Sequence, residues 1–141
     1  MKKFELTEES KTSIFGKKLF RIKALVSFGN VEAGELGGYV EKEENLSQGG
    51  DAWVCGNAKV CGNAWVSNDS DYAIVKGFGS QHRFTTFFRT KEKEIGVKCG
   101  CFLGTLAEFR LKVQATHGET KIAKEYLMLA DLMEYKFQEE E

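Results

Sequence analysis

Residues 51–68 read DAWVCG NAKVCG NAWVSN, three six-residue units in register. Ala52, Ala58 and Ala64 hold one phase, and Val54, Val60 and Val66 another. Trp53, Lys59 and Trp65 hold a third, with Asp51, Asn57 and Asn63 in a fourth. A six-residue period is that of a β-helix, in which each unit forms one flat side of a coil. Alternate side chains of a strand point to opposite faces, so the Ala and Val phases share the interior while Trp and Lys point outward. Gly56, Gly62, Asn57, Asn63 and Asn68 supply the corners, where left-handed backbone costs Gly and Asn least.

The units resemble the hexapeptide repeats of left-handed parallel β-helix proteins, best known from acyltransferases. The longer run from Leu19 to Val66, LFRIKALVSFGNVEAGELGGYVEKEENLSQGGDAWVCGNAKVCGNAWV, is similar to a subgroup found in bacteria and their prophages. Members of that subgroup are described as transferase-like or polymer-forming. After Asp71 the resemblance is to a tail that recurs on phage-type proteins, and it implies no function.

Val40 and Leu46 are six apart and extend the period backward. With Val54, Val60, Val66 and Ile74 they make about six sides, which is about two coils. Upstream, residues 3–28 read as strands, with a hairpin turning near Gly16 and Lys17. Downstream of Asp71, YAIVKGFGS, RFTTFFRTK and EIGVKCGCF read as β segments. A helix follows from the capping box of Thr105 and Glu108 to Gly118. A second runs from about Thr120 to Phe137, with Ile122, Tyr126, Leu129 and Met133 as its apolar stripe. The expected fold is mainly β: a short left-handed β-helix of about two coils, capped by an N-terminal hairpin and followed by a ββαα module. Residues 1–72 and 73–141 are the two expected units.

Composition narrows the function. Formal net charge is −1, so the molecule as a whole has no pull on nucleic acid or on an anionic membrane. No apolar run approaches the roughly 20 residues of a membrane span. The opening MKKFELTEES has no apolar core behind its lysines, so no secretory signal is expected. The expected location is the cytoplasm of a bacterial host, with Cys55, Cys61, Cys99 and Cys101 as reduced thiols.

No catalytic constellation stands out. Acyl transfer calls for a general base, usually His, and His82 and His117 both lie outside the repeats. His117, in ATHG, reads as a helix C-terminal residue favoured by the dipole, and His82, in SQHR, as a loop residue. The cysteines are spaced C-x5-C and C-x-C, neither of which is a zinc pattern, so no metal and no cofactor are expected. Cys55 and Cys61, each following an inward Val, are expected to point outward.

A better candidate is GFGSQHRFTTFFR, residues 77–89, which brings flexible amides, a hydroxyl and cations together. From Lys76 to Gly104, six cations (Lys76, Arg83, Arg89, Lys91, Lys93, Lys98) face only Glu92 and Glu94, with Phe78, Phe84, Phe87 and Phe88 between them. Such a mixture stacks bases and holds phosphates. The same pattern also describes a half-buried sheet with solvated lysines. The candidate ligand residues are Lys76, Phe78, Gly79, Ser80, His82, Arg83, Thr86 and Arg89. Outward Trp53, Lys59 and Trp65 are the candidates for protein contact and self-association.

The function expected is that of a non-enzymatic binding protein, a phage or prophage accessory with an anti-defence role. Its partner is a host protein or a small nucleotide signal, with nucleic acid less favoured. The alternatives are an acyltransferase-like or nucleotide-processing enzyme and a structural assembly protein.

Overall fold

The computed structural model describes residues 2–12, 18–79, 83–99 and 102–138, with Arg83 described in its backbone alone. The turn expected at Gly16 and Lys17 lies outside these residues. Strands β1 (Phe4–Thr12), β2 (Lys18–Ala24), β3 (Leu36–Val40) and β4 (Lys59–Val60) form a first sheet in that order. The β1–β2 and β2–β3 pairs are antiparallel, and β3–β4 is parallel.

This arrangement replaces the expected β-helix. The six-residue units contribute one two-residue strand and two isolated bridges, Leu46 with Val66 and Ala64 with Thr90. Gly56 and Gly62 do turn the chain with φ of 61° and 63°, but among the described residues parallel pairing is limited to β3–β4 and the Leu46–Val66 bridge. With so few units, antiparallel strands and a second sheet cover the faces that further coils would cover.

The periodicity does report burial. Ala52, Val54, Ala58, Val60, Ala64 and Val66 are all buried, and they form one core with Phe4, Ile22, Ala24, Val40 and Leu46. Backbone approach is close here. A Cβ on Gly37 would stand 2.6 Å from the Val54 carbonyl oxygen, and one on Gly38 would stand 2.7 Å from that of Ala58. Glycine at both positions lets Gly38 donate to Val54 O at 2.7 Å and Tyr39 to Ala58 O at 2.9 Å.

Side chains complete what the short strands leave unpaired. Buried Asn45 accepts from the Glu41 and Lys42 amides, and its Nδ2 donates to the Gly62 and Ala64 carbonyls. Gln48 accepts from the Lys3 and Phe4 amides and donates to the Phe4 carbonyl, standing in for a neighbouring strand. The buried Lys3 ammonium donates to Ala52 O at 2.7 Å; burial lowers its pKa, against the pull of Asp51 and Asp69. Buried donors and acceptors so paired avoid the cost of unmet hydrogen bonds.

Strands β5 (Tyr72–Phe78), β6 (Arg83–Arg89), β7 (Ile95–Cys99) and β8 (Phe102–Thr105) form a second, antiparallel sheet in that order. Helices α1 (Leu106–His117) and α2 (Lys121–Lys136) start at Thr105 and Thr120, whose hydroxyls accept from Glu108 N and Ala123 N. Tyr72, Ile74, Phe88 and Leu103 pack on the first core, while Phe87 and Val97 pack under Phe109, Tyr126 and Met133 of the helices. The second sheet is therefore a middle layer. Both faces of β6 are covered, so Thr85, Thr86, Phe87 and Phe88 are all buried. Among the described residues no helix is long and apolar enough to cross a membrane.

Candidate anion-binding site

Strand register brings four lysines from both sheets to one region. Tyr39 of β3 lies opposite Lys59 of β4. Thr86 of β6 accepts from the Lys59 amide through Oγ1 at 3.1 Å, which joins the sheets. Thr86 in turn lies opposite Lys98 of β7. On the outer side, the Lys11 ammonium of β1 sits 4.8 Å from the centre of the Tyr39 ring. Phe84 lies two residues from Thr86, so it shares that face of β6, and Lys76 sits 5.2 Å over its ring. The result is a row of Lys11, Tyr39, Lys59, Thr86, Lys98 and Phe84 with Lys76.

The electrostatics are unusual for a surface. Lys59 is half-buried and Lys98 is buried at 7% exposure. Burial lowers the pKa of Lys59, and the nearby charges of Lys11 and Lys98 lower it further. The Cys61 thiol opposes them. Cys61 itself is buried with Leu19, Tyr39 and Leu103. Lys59 and Lys98 thus lie near each other and near exposed Lys11, and clustered positive charge of this kind favours an approaching anion.

The residues singled out from the sequence divide. Lys76 and Lys59 enter the cluster, Lys59 as a ligand candidate in place of a protein contact. Phe78 packs on Tyr126 with ring centres 6.4 Å apart, and Gly79, at φ 78°, lies too close to Tyr126 for any side chain. Thr86 is sealed beneath the row and serves the sheet junction. Arg89 stands at the far end of β6, paired with Asp71, and so leaves the site. Ser80, His82 and the Arg83 side chain lie outside the described residues. His117 stacks on Tyr126 with ring centres 6.1 Å apart, a packing role at the end of α1.

Two outward assignments are overturned. Trp53 is buried at 5% exposure, because Phe4 of β1 and Phe28 of the segment between β2 and β3 close edge-on over it. It cannot form a docking face. Cys61 does point away from the first core, but Leu103 of the second sheet covers it. Trp65, by contrast, is 48% exposed and borders a groove of about 320 Å3 with Glu43, Glu44, Leu46 and Lys91.

Sequence reasoning missed Lys11 and undervalued Lys98. Lys98 carried a signal, since it is the one charged residue of the strand IGVKC. Lys11 carried none, because its place beside Tyr39 depends on the β1–β2 pairing.

No family model and no curated protein matches the chain. Its chemistry rests on the residues themselves. Among the described residues no group of His, Cys, Asp and Glu side chains is placed to hold a metal ion. What the lysine row offers is charge and ring faces, which suit an anion with a flat group attached.

Proposed function

We propose that the chain is a non-enzymatic binding protein that holds a small anionic ligand of the nucleotide class at the cluster around Lys59. It acts in the cytoplasm of a bacterial host, as a phage or prophage accessory that sequesters a nucleotide signal. The observation carrying this reading is the placement of Lys11 over the Tyr39 ring, of Lys59 near Lys11 and Lys98, and of Lys76 over the Phe84 ring. A phosphate among these ammonium groups removes their repulsion, and the Phe84 ring gives a base a face to stack on. The resemblance of residues 19–66 to prophage-borne proteins supports the accessory role.

The test is a thermal-shift titration with inorganic phosphate, nucleoside mono- and triphosphates and cyclic dinucleotides. At least one nucleotide should raise the melting temperature, and Lys59→Gln with Lys76→Gln should abolish that rise. Lys112→Gln, on the exposed face of α1, should leave it intact. The proposal fails if none of these ligands shifts the melt, or if the shift survives the double variant.

Trp65 favours a second reading, docking of a host protein. A half-exposed indole beside a groove is the kind of anchor that dominates interfaces. Capture of one defined host protein by the native chain, lost in Trp65→Ala, supports it; equal capture by both rejects it.

A further inference from the structure

Helix α2 is apolar on two opposite sides, and the fold of one chain uses only one of them. Its inner side, through Tyr126, Leu129 and Met133, shares a core with Phe87 and Val97 of the second sheet. Its outer side carries Met128, Leu132 and Tyr135, spaced four and then three residues apart and exposed at 70%, 56% and 75%. We infer that this outer stripe is a homodimer interface, in which α2 packs antiparallel on α2 of a second copy about a two-fold axis at Met128. The inference goes beyond the anion-binding reading and does not depend on it.

Exposed apolar surface is concentrated on this face. Of seven large exposed hydrophobics among the described residues, four lie on the two helices: these three and Leu111 of α1, at 67%. Leu111 is two residues from both Phe109 and Val113, the buried side of α1, so it points outward as well. Arg110 donates from α1 to Asp131 and Glu134 of α2 at 2.9 Å each, which holds the two helices as one outer surface. The spacing of four then three is that of a seam between packed helices.

Charge decides the occupant. In an antiparallel pair centred on Met128, residues equally far before and after it meet across a self-complementary interface. Lys121, seven before, then faces Tyr135 of the partner subunit, seven after, and an ammonium meets a ring face. Lys124, four before, lays its stem on Leu132 of the partner subunit and brings its charge to the adjoining Asp131 of the partner subunit. Lys124 and Asp131 lie on the same flank of the stripe, and Glu125 lies on the other. Arg110 takes one oxygen of Asp131, whose side chain is still 76% exposed and open to a second cation. Within one chain the pattern is unfavourable, because the first turn of α2 has lysines and no acid where the helix dipole favours an acid. An antiparallel partner supplies the missing negative charge from its C-terminal half. A parallel partner would set Lys121 and Lys124 against their own copies.

The experiment is sedimentation equilibrium of the full chain from micromolar to millimolar concentration. The mass should rise with concentration from one chain to two. Met128→Glu with Leu132→Glu should stay monomeric with an unchanged circular dichroism spectrum, since both side chains are exposed. Lys124→Glu and Asp131→Lys should each raise the dimer dissociation constant at least about tenfold, through two like-charge contacts. An equal mixture of these two variants should recover a mixed dimer. Lys59→Gln with Lys76→Gln should dimerise like the native chain, so the anion site stands or falls separately. The inference is overturned if the native chain stays monomeric throughout, or if the Met128 and Leu132 double variant dimerises as tightly as native. It is overturned too if the charge variants mixed together stay monomeric. Co-sedimentation of a monomeric native chain with phosphatidylglycerol vesicles, lost in the double variant, gives the stripe to a membrane surface instead.

Discussion

The Asp71 carboxylate and the Arg89 guanidinium meet at 3.2 Å and tie all three layers together. Asp71 Oδ2 accepts from the Ser67 amide, the Ser67 hydroxyl and the Asn68 amide, which closes the last corner of the repeats. Arg89, on the middle sheet, also donates to the Phe137 carbonyl at 3.0 Å, at the end of α2. One ion pair therefore links the first core, the second sheet and the helices.

Removing one partner leaves the other charge without a counter-ion in a largely buried place. Asp71→Ala is expected to destabilise the fold by about 3 kcal/mol, and Asp71→Asn by less, since it retains an acceptor. Urea denaturation of the two variants checks the order. Burial alone raises the pKa of Asp71, but the hydrogen bonds from Ser67 and Asn68 and the Arg89 contact outweigh it and hold the pKa below 3.8. With the folded value depressed, the unfolded chain binds the proton first as pH falls. The stabilisation is complete above the unfolded value and disappears as pH falls through the folded one. The Asp71→Asn variant should show a shallower loss of melting temperature in acid.

The two tryptophans should behave as opposites. Trp53→Ala opens a hole beneath Phe4 and Phe28 and is expected to destabilise by about 3–5 kcal/mol. Trp65→Ala should stay within about 0.5 kcal/mol of the native chain. The fluorescence of Trp65→Phe, which retains Trp53, should be blue-shifted and resist acrylamide, whereas that of Trp53→Phe should be red-shifted and readily quenched.

Gly79 looks from sequence like part of a phosphate loop, and the structure gives it a packing role against Tyr126. Gly79→Ala should lower stability by about 2 kcal/mol, combining left-handed backbone strain with overpacking. Gly77 also has positive φ, 102°, but nothing stands within 4 Å of its added Cβ. Gly77→Ala should therefore cost only the backbone part, and chemical denaturation of the pair separates the two effects.

Lys59 should set stability against binding. Lys59→Met removes a partly buried charge repelled by Lys11 and Lys98, and is expected to stabilise the fold at pH 7 by about 0.5–1 kcal/mol. It should also remove the ligand-induced melting shift. Because the folded pKa of Lys59 lies below the ordinary 10.5, the unfolded chain binds the extra proton between those values. Native stability therefore gains with rising pH across that window, and melting curves of Lys59→Met should lack this component.

Local chemistry was legible in the sequence wherever neighbours along the chain decide it. The Thr105 and Glu108 cap, the Gly118 stop and the Tyr126, Leu129 and Met133 stripe placed the helices, because caps and turns are made within a few residues. The repeat phases of DAWVCGNAKVCGNAWV named the buried Ala and Val set for the same reason. Tertiary structure alone decided the rest. A six-residue period states which side chains face inward, but it does not state what covers the faces or how far backbone pairing extends. The antiparallel β1–β2 pair covered the Trp53 side through Phe4, and the second sheet reached over Cys61. The lysine row is likewise a product of pairing between distant strands, joined where Lys59 donates to Thr86. Strand pairing has no local signature, so Lys11, Lys59, Lys76 and Lys98 become one site only after the sheets have formed.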